Sequence, residues 1–151
     1  MCLRPFGHLL DGRELVFGDM ESNYKHPSPH FQYIQNSFLY SLPGHPFWLE
    51  MVHRIADTPR NENGRPEYVT GPQAMMRLLV DRWDNYVRDL TIYPGRFFNP
   101  FSWITRADTP CLDLNQMSDN RLRDCIAHHK KNGSYVLQLH THSWGADTIH
   151  K

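Results

Sequence analysis

The chain has 151 residues, enough for one ordinary domain with a sizeable core. Apolar residues make up 40% of it and aromatic residues 13%, which argues against disorder. The 16 basic side chains balance 16 acidic ones, so charge gives no reason to expect nucleic acid or an acidic membrane surface as a partner. No run of about 18 apolar residues exists and the first ten residues lack a continuous apolar segment, so neither a transmembrane span nor a signal peptide is predicted.

The cysteines point to a reducing compartment. Cys2, Cys111 and Cys125 are odd in number, widely spaced and form no CxxC pair. This pattern favours reduced, mostly buried thiols over a zinc knuckle or a disulfide framework. Together with the missing signal peptide, it predicts a location in the cytoplasm or at the periphery of a membrane.

The first half of the chain contains signals for two strands and one helix. Residues 14–18 are predicted to form a short strand, residues 19–30 a polar loop and residues 31–40 an aromatic strand. A helix is predicted for residues 45–57, with Pro46 in its first turn, where the missing N–H is harmless. Its apolar stripe recurs at a spacing of about four residues and consists of Phe47, Trp48, Met51, Val52 and Ile55.

The second half continues the alternation of helices and strands. After a polar loop over residues 58–68, Thr70 is predicted to cap a helix whose apolar face is formed by Met75, Leu79, Trp83 and Tyr86. Residues 90–93 are predicted to form a strand, residues 119–131 a helix capped by Ser118, and residues 134–140 a last strand. The alternation implies an α/β architecture in a single domain over residues 1–151.

Two histidines, His140 and His142, lie where the last predicted strand ends. Strand alternation puts both imidazoles on the same face, near enough to share a metal ion or a phosphate. Two histidines do not complete a metal site, so a third ligand must come from elsewhere in the chain. The alternative is that one histidine is simply hydrogen-bonded in place and that Trp144 belongs to the core.

Three other segments carry polar groups that could bind a ligand. The helix start at Thr70-Gly71-Pro72 offers N–H groups to a diphosphate or a sugar hydroxyl, although such a run also serves as an ordinary helix start. The amides of Gln35-Asn36-Ser37 either line a cleft or bond to neighbouring backbone. Asp19 and Glu21 could hold a cation through oxygen, but a solvated loop is the favoured interpretation there.

Taken in order, these segments resemble the DXD-type sugar-binding region of glycosyltransferase family thirty-two, which includes fungal initiating mannosyltransferases and bacterial capsule or glycolipid transferases. The resemblance covers nearly the whole chain and runs through Cys2-Leu-Arg-Pro-Phe6, Leu9-Leu-Asp-Gly12, Glu14-Leu-Val-Phe-Gly18, Asn36-Ser-Phe38, Pro43-Gly-His-Pro-Phe47, Thr70-Gly-Pro72, Tyr93-Pro94, Phe97-Phe-Asn-Pro100 and His142-Ser-Trp144. The sequence has no DXD itself. In this family the DXD lies on the strand just before a Cys-Leu-Arg-Pro stretch, so the chain is expected to correspond to the C-terminal part of such a domain.

The resemblance implies a partial GT-A fold, the nucleotide-diphospho-sugar transferase fold, with a mixed sheet and flanking helices. It also implies transfer of a hexose, with retention, from a UDP- or GDP-sugar to a glycan or lipid acceptor, and a divalent cation (Mn²⁺ or Mg²⁺) on the diphosphate. Carried over to this chain, Asn36 would face the donor, and Thr70, Gly71 and Pro72 would shape the donor or acceptor pocket. A C-terminal lid touching metal, phosphate and sugar would consist of His140, His142, Ser143 and Trp144. No catalytic base is assigned.

Two other functions are compatible with the residues. One is a truncated, non-catalytic remnant that acts as a sugar- or partner-binding module. The other is a small metal-dependent hydrolase built on His140 and His142, which ranks last because acidic ligands at a recognisable spacing are missing. A partial GT-A sheet would also leave a strand edge unpaired, so self-association through that edge is predicted.

Overall fold

The computed structural model of the chain describes residues 1–19, 34–58, 66–100 and 118–137. They form three strands and six helices, preceded by a short 3₁₀ turn at Gly7–Leu9. The strands are β1 (Leu15–Asp19), β2 (Ile34–Ser41) and β3 (Leu90–Tyr93). The helices are α1 (Pro46–Asp57), α2 (Pro66–Val69), α3 (Pro72–Asp81), α4 (Trp83–Tyr86), α5 (Gly95–Phe98) and α6 (Asp119–Lys131).

The sheet is mixed, with β1 at its centre in the order β2-β1-β3. β2 runs antiparallel to β1, as expected for strands in sequence, whereas β3 runs parallel to β1 after the crossover through the helices. All five residues of β1 are buried, which fits a strand with neighbours on both sides and helices against its face. The mixed sheet with flanking helices expected from the sequence is therefore present.

The main core lies between β1, α1 and α3. Phe17 of β1 meets Phe47 of α1 with the ring centroids 5.5 Å apart in an edge-to-face arrangement, which aromatic quadrupoles favour. α3 contributes most of the remaining buried side chains, namely Ala74, Met75, Met76, Leu78 and Leu79. The spacing of apolar residues that predicted both helices thus reflects the faces they turn to the sheet.

Most of the predicted elements are confirmed within the described residues, some to the residue. β3 spans Leu90–Tyr93 and α6 spans Asp119–Lys131, as predicted, and β1 and α1 begin one residue later than expected. Gly133, after the C-cap of α6, has a φ of 90°, a backbone conformation that glycine adopts without strain. Residues 20–33, 59–65, 101–117 and 138–151, which include part of the predicted loops and strands, lie outside the described residues.

Several local predictions about the helices are wrong. Val52 is 59% exposed, so it does not widen the buried stripe of α1. Gly71, not Thr70, is the N-cap of α3, and this helix ends at Asp81 instead of continuing through Trp83. The predicted loop before it contains α2. These differences arise because the helix caps and exposed faces are decided by the neighbouring elements as well as by local sequence.

The two ends of the described chain meet beside α6. Leu3 N–H donates to Tyr135 C=O at 2.7 Å and Leu137 N–H donates to Met1 C=O at 2.8 Å, so Met1–Leu3 pairs with residues 135–137. Leu137 and Cys125 form the centre of a second, smaller core. Cys125 is disulfide-bonded, contrary to the expectation of reduced thiols, whereas Cys2 is free. Within the described ranges, no helix has the length and apolar character needed to cross a bilayer.

Candidate functional site

An irregularity in β2 defines the carboxyl end of β1. Phe17 pairs with Leu39, but Asp19, two residues on, pairs with Ile34, five residues back along β2. Three extra residues of β2 therefore bulge away from the ladder here. Bulges re-aim side chains and are over-represented beside functional sites. The bulge contains the polar Gln35-Asn36-Ser37 run identified in the sequence.

The buried side chain of Gln35 forms hydrogen bonds with neighbouring groups of the chain. Its side chain is only 3% exposed, and its Nε2 donates to the Asp19 carbonyl at 3.5 Å. The hydroxyl of Ser37 donates to Gln35 Oε1. The side-chain amide lies against Gly18, where a Cβ would overlap it. Gln35 therefore supports the bulge from within by bonding to neighbouring groups.

Asn36, the predicted donor-facing residue, is exposed on the outside of this bulge. Its two neighbours are Gln35, which faces inward, and Ser37, whose hydroxyl bonds to Gln35. An exposed carboxamide offers both a donor and an acceptor, a combination that suits a sugar hydroxyl. Of the two alternatives for the polar run, bonding to neighbouring groups holds for Gln35, whereas Asn36 is exposed.

Aromatic rings from distant parts of the chain meet beside the bulge. Phe38 of β2 stacks on Phe98 of α5, with ring centroids 3.4 Å apart and the planes within 6° of parallel. Phe6 packs edge-on against both, at 5.7 and 5.9 Å. Tyr93, Phe97 and Tyr135 complete this set of rings. We call these six residues the aromatic cluster.

Arg4 secures the N-terminal side of the aromatic cluster. Its guanidinium lies over the Tyr135 ring, 3.9 Å from the centroid, and also donates to the Gly133 carbonyl. Tyr93 reaches the same region, because its hydroxyl donates to the Leu9 carbonyl at 2.7 Å. The Arg4-Pro5-Phe6 run is therefore held against the end of β3 and the segment after α6.

Asp19 lies in the sheet and not in the solvated loop that the sequence favours. It is the last residue of β1 and is buried. Period-two alternation predicts the extent of a strand poorly when every one of its residues is buried, as in β1. A buried carboxylate at the carboxyl end of a central strand is a more informative feature than a solvated one.

The other predicted site residues fall into two groups. Gly71 and Pro72 are buried at the start of α3 and Thr70 is exposed, so this run forms a helix start as expected. α3, which follows this run, packs against β2. The proposed lid residues, His140, His142, Ser143 and Trp144, lie outside the described residues.

A separate groove of about 530 Å³ lies between α1 and α3. Its arginines already have partners, since Arg54 Nη2 meets Asp81 Oδ2 at 2.6 Å and Arg82 Nε meets Glu50 Oε2 at 3.6 Å. Arg77 donates to a backbone carbonyl at 2.6 Å. Two of the three arginines are thus paired with carboxylates, which reduces the attraction of the groove for an anion.

Comparisons of the chain with protein-family models, with curated proteins and with solved structures find no match. The resemblance to family thirty-two therefore rests on the ordered motifs of this chain. The candidate site is the carboxyl end of β1, with exposed Asn36, buried Gln35 and Asp19, and the aromatic cluster beside them.

Proposed function

We propose that this chain is part of a DXD-type glycosyltransferase of the GT-A fold, the part that follows the DXD strand. The reaction would be transfer of a hexose from a UDP- or GDP-sugar to a glycan or lipid acceptor, with retention of configuration. Asn36 would face the donor sugar, and the aromatic cluster would form the adjacent wall of the site.

One observation carries this proposal: three motifs of the resemblance that are far apart in sequence meet at one place. Phe6 of the Cys-Leu-Arg-Pro-Phe stretch, Phe38 of Asn-Ser-Phe and Phe98 of Phe-Phe-Asn-Pro contact one another. The three motifs therefore meet near the carboxyl end of β1, as a shared binding site requires. Ligands of α/β sheets bind at the carboxyl ends of the strands.

The exposed carboxamide of Asn36 and the neighbouring aromatic cluster suit a carbohydrate ligand. Sugars present hydroxyls, which an exposed carboxamide such as Asn36 can both donate to and accept from, and apolar C–H faces, which pack on aromatic rings. Gln35 is buried and bonded to its neighbours, so it holds the bulge and leaves Asn36 to the ligand. Fixing a polar group in this way limits the entropy lost on binding.

A divalent cation, Mn²⁺ or Mg²⁺, belongs to the proposal. It would neutralise charge on the departing nucleotide diphosphate. We propose that His140 and His142 contribute to holding it, a role that neutral imidazole fills more readily for Mn²⁺ than for Mg²⁺.

Ligand binding by the untagged chain tests the proposal. We expect UDP or GDP, with MnCl₂ present, to raise the Tm, by about 5–10 °C at a ligand concentration one hundred times Kd. UDP-glucose and GDP-mannose serve as the donor probes. Asn36→Ala should weaken binding of the sugar donor about threefold to tenfold, the effect of one lost hydrogen bond, and should leave binding of the free nucleotide unchanged.

Asn85→Ala is the matched control, because Asn85 is also exposed but lies in α4, before β3. It should bind every probe like the wild type. A Tm that responds to free hexoses such as methyl mannoside, but to no nucleotide, would instead indicate the non-catalytic sugar-binding module. If no nucleotide and no sugar shifts the Tm, and no donor is hydrolysed with manganese present, the proposal is wrong.

A further inference from the structure

Three side chains at the amino ends of β1 and β3 form a group that the proposed function does not use. Glu14 immediately precedes β1, Asp89 immediately precedes β3, and His45 is the N-cap of α1. One ligand atom of each lies within 4.8 Å of the other two. Because β1 and β3 are parallel, this is their amino end, away from the bulge that carries Asn36.

Backbone hydrogen bonds hold the three residues together independently of their side chains. Leu42 N–H donates to the Glu14 carbonyl at 2.9 Å, and His45 N–H donates to the Leu42 carbonyl at 3.3 Å. Leu15 N–H donates to the Asp89 carbonyl at 3.1 Å. The arrangement is therefore built into the junction of β1, β2, β3 and α1. The backbones of the three residues are thus fixed before any ligand binds, which reduces the ordering cost of binding.

His45 is the buried member of this group. The residue is 6% exposed, and its Nε2 has no hydrogen-bond partner among the described residues. Asp89 Oδ2 lies 3.7 Å from Nε2, too far for a hydrogen bond but close enough for both atoms to contact one bridging ion. Buried polar atoms normally have a partner, so an unsatisfied Nε2 beside the Asp89 carboxylate suggests that a ligand belongs there.

We propose that Glu14, His45 and Asp89 form a binding site for a divalent transition-metal ion. Two ligands on one zinc ion at bonds of about 2.0–2.2 Å lie about 3.0–3.5 Å apart, so Asp89 and His45 need to close only slightly. Glu14 is exposed and can rotate into place. Water would complete the coordination on the open side, where the Asp89 side chain is 33% exposed.

The types of the three ligand side chains indicate which metal ion the site would bind. One imidazole with two carboxylates suits zinc, manganese or cobalt better than calcium or magnesium, which prefer oxygen alone. Within that group the affinity should follow the order zinc, then cobalt, then manganese, with zinc the tightest. Because the ligands come from the starts of β1, β3 and α1, the ion would hold these three elements together. Metal binding would therefore raise the free energy of unfolding.

Metal binding requires a change at the other ring nitrogen. His45 Nδ1 accepts a hydrogen bond from Phe47 N–H at 3.3 Å, which places the proton of the neutral ring on Nε2. Ligation through Nε2 moves that proton to Nδ1 and gives up this long bond. The competing explanation is that Nε2–H simply points at Asp89, directly or through a water, and that no ion binds.

Substitution separates the two explanations in the untagged chain, stripped with EDTA and titrated with ZnCl₂ or CoCl₂. We expect one ion per chain at the site, visible cobalt absorption, and a Tm raised by about 5–10 °C when the metal is at one hundred times Kd. His45→Asn keeps a good N-cap residue and removes the imidazole, so the fold should persist. His45→Asn, Asp89→Asn and Glu14→Gln should each weaken binding about tenfold or more.

His53→Asn is the matched control, because His53 is an exposed histidine on the same helix, and it should bind zinc like the wild type. Unchanged zinc binding in His45→Asn would overturn the proposal, as would a wild type that binds no zinc. Zinc could also bind at His140 and His142, which belong to the glycosyltransferase proposal, so the loss of binding in His45→Asn relative to the wild type, and not the total zinc bound, tests this site.

Discussion

The side-chain amide of Gln35 covers Gly18 where β2 bulges away from β1. A Cβ at position 18 would overlap the amide nitrogen and would also lie 3.1 Å from Cδ and 3.3 Å from Cγ of Gln35. The whole side chain, and not only its tip, would have to move. The glycine in β1 and the glutamine in the bulge are therefore one structural unit, and Asn36 is held outward by it.

Gly18→Ala should lower the free energy of unfolding by about 1–3 kcal/mol, the usual cost of overpacking a filled site. Urea denaturation followed by circular dichroism measures it. Gly7→Ala is the control, because nothing lies within 4 Å of a Cβ there, and it should change stability by less than about 0.5 kcal/mol. In a Gln35→Ala background the cost of Gly18→Ala should shrink. An equal cost in both backgrounds would contradict the contact.

Phe38 and Phe98 should be energetically coupled, because their rings stack between two otherwise distant motifs. A double-mutant cycle with Phe38→Leu and Phe98→Leu is expected to give a coupling free energy of about 0.5–1.5 kcal/mol. Leucine keeps most of the apolar volume, so the single variants should still fold. A cycle between Phe38 and Leu49, an exposed residue of α1, should give no coupling. Purely additive effects for Phe38 and Phe98 would remove the main support for a shared site.

Tyr86 should make the protein less stable at high pH. Burial, with a further contribution from Glu50, raises the pKa of Tyr86 from 10.0 to about 12. Above pH 10 the unfolded chain loses the phenolic proton while the folded chain keeps it, so stability falls as the pH rises from about 10 to 12. Below pH 10 the contribution is fully present.

Comparing the wild type with Tyr86→Phe isolates this effect, because phenylalanine has no proton to lose. The difference in urea midpoint between the two should be constant up to about pH 9.5 and should then shift in favour of Tyr86→Phe. Tyr68→Phe, at an exposed tyrosine, should show no such change. Parallel midpoints for wild type and Tyr86→Phe up to pH 12 would contradict the raised pKa.

The elements with a strong local signal could be predicted from the sequence alone. The apolar spacing of α1, the Pro-Gly that follows β3 and the Asn-Gly that closes α6 are properties of neighbouring residues, and those elements lie where they were predicted. The polar character of Gln35-Asn36-Ser37 was also evident, but its division into an inward amide and an outward one was not.

Only the tertiary structure decided the features that depend on partners far away in sequence. Asp19 is buried because β1 lies between β2 and β3, and the bulge exists because Ile34 and Leu39 pair with residues only two apart on β1. Likewise, Glu14, His45 and Asp89 show no pattern in sequence, since the parallel pairing of β1 with β3 and the turn after β2 bring them together. Local periodicity records which face of an element is apolar, whereas long-range pairing decides which polar groups meet, and the two candidate sites of this chain depend on the latter.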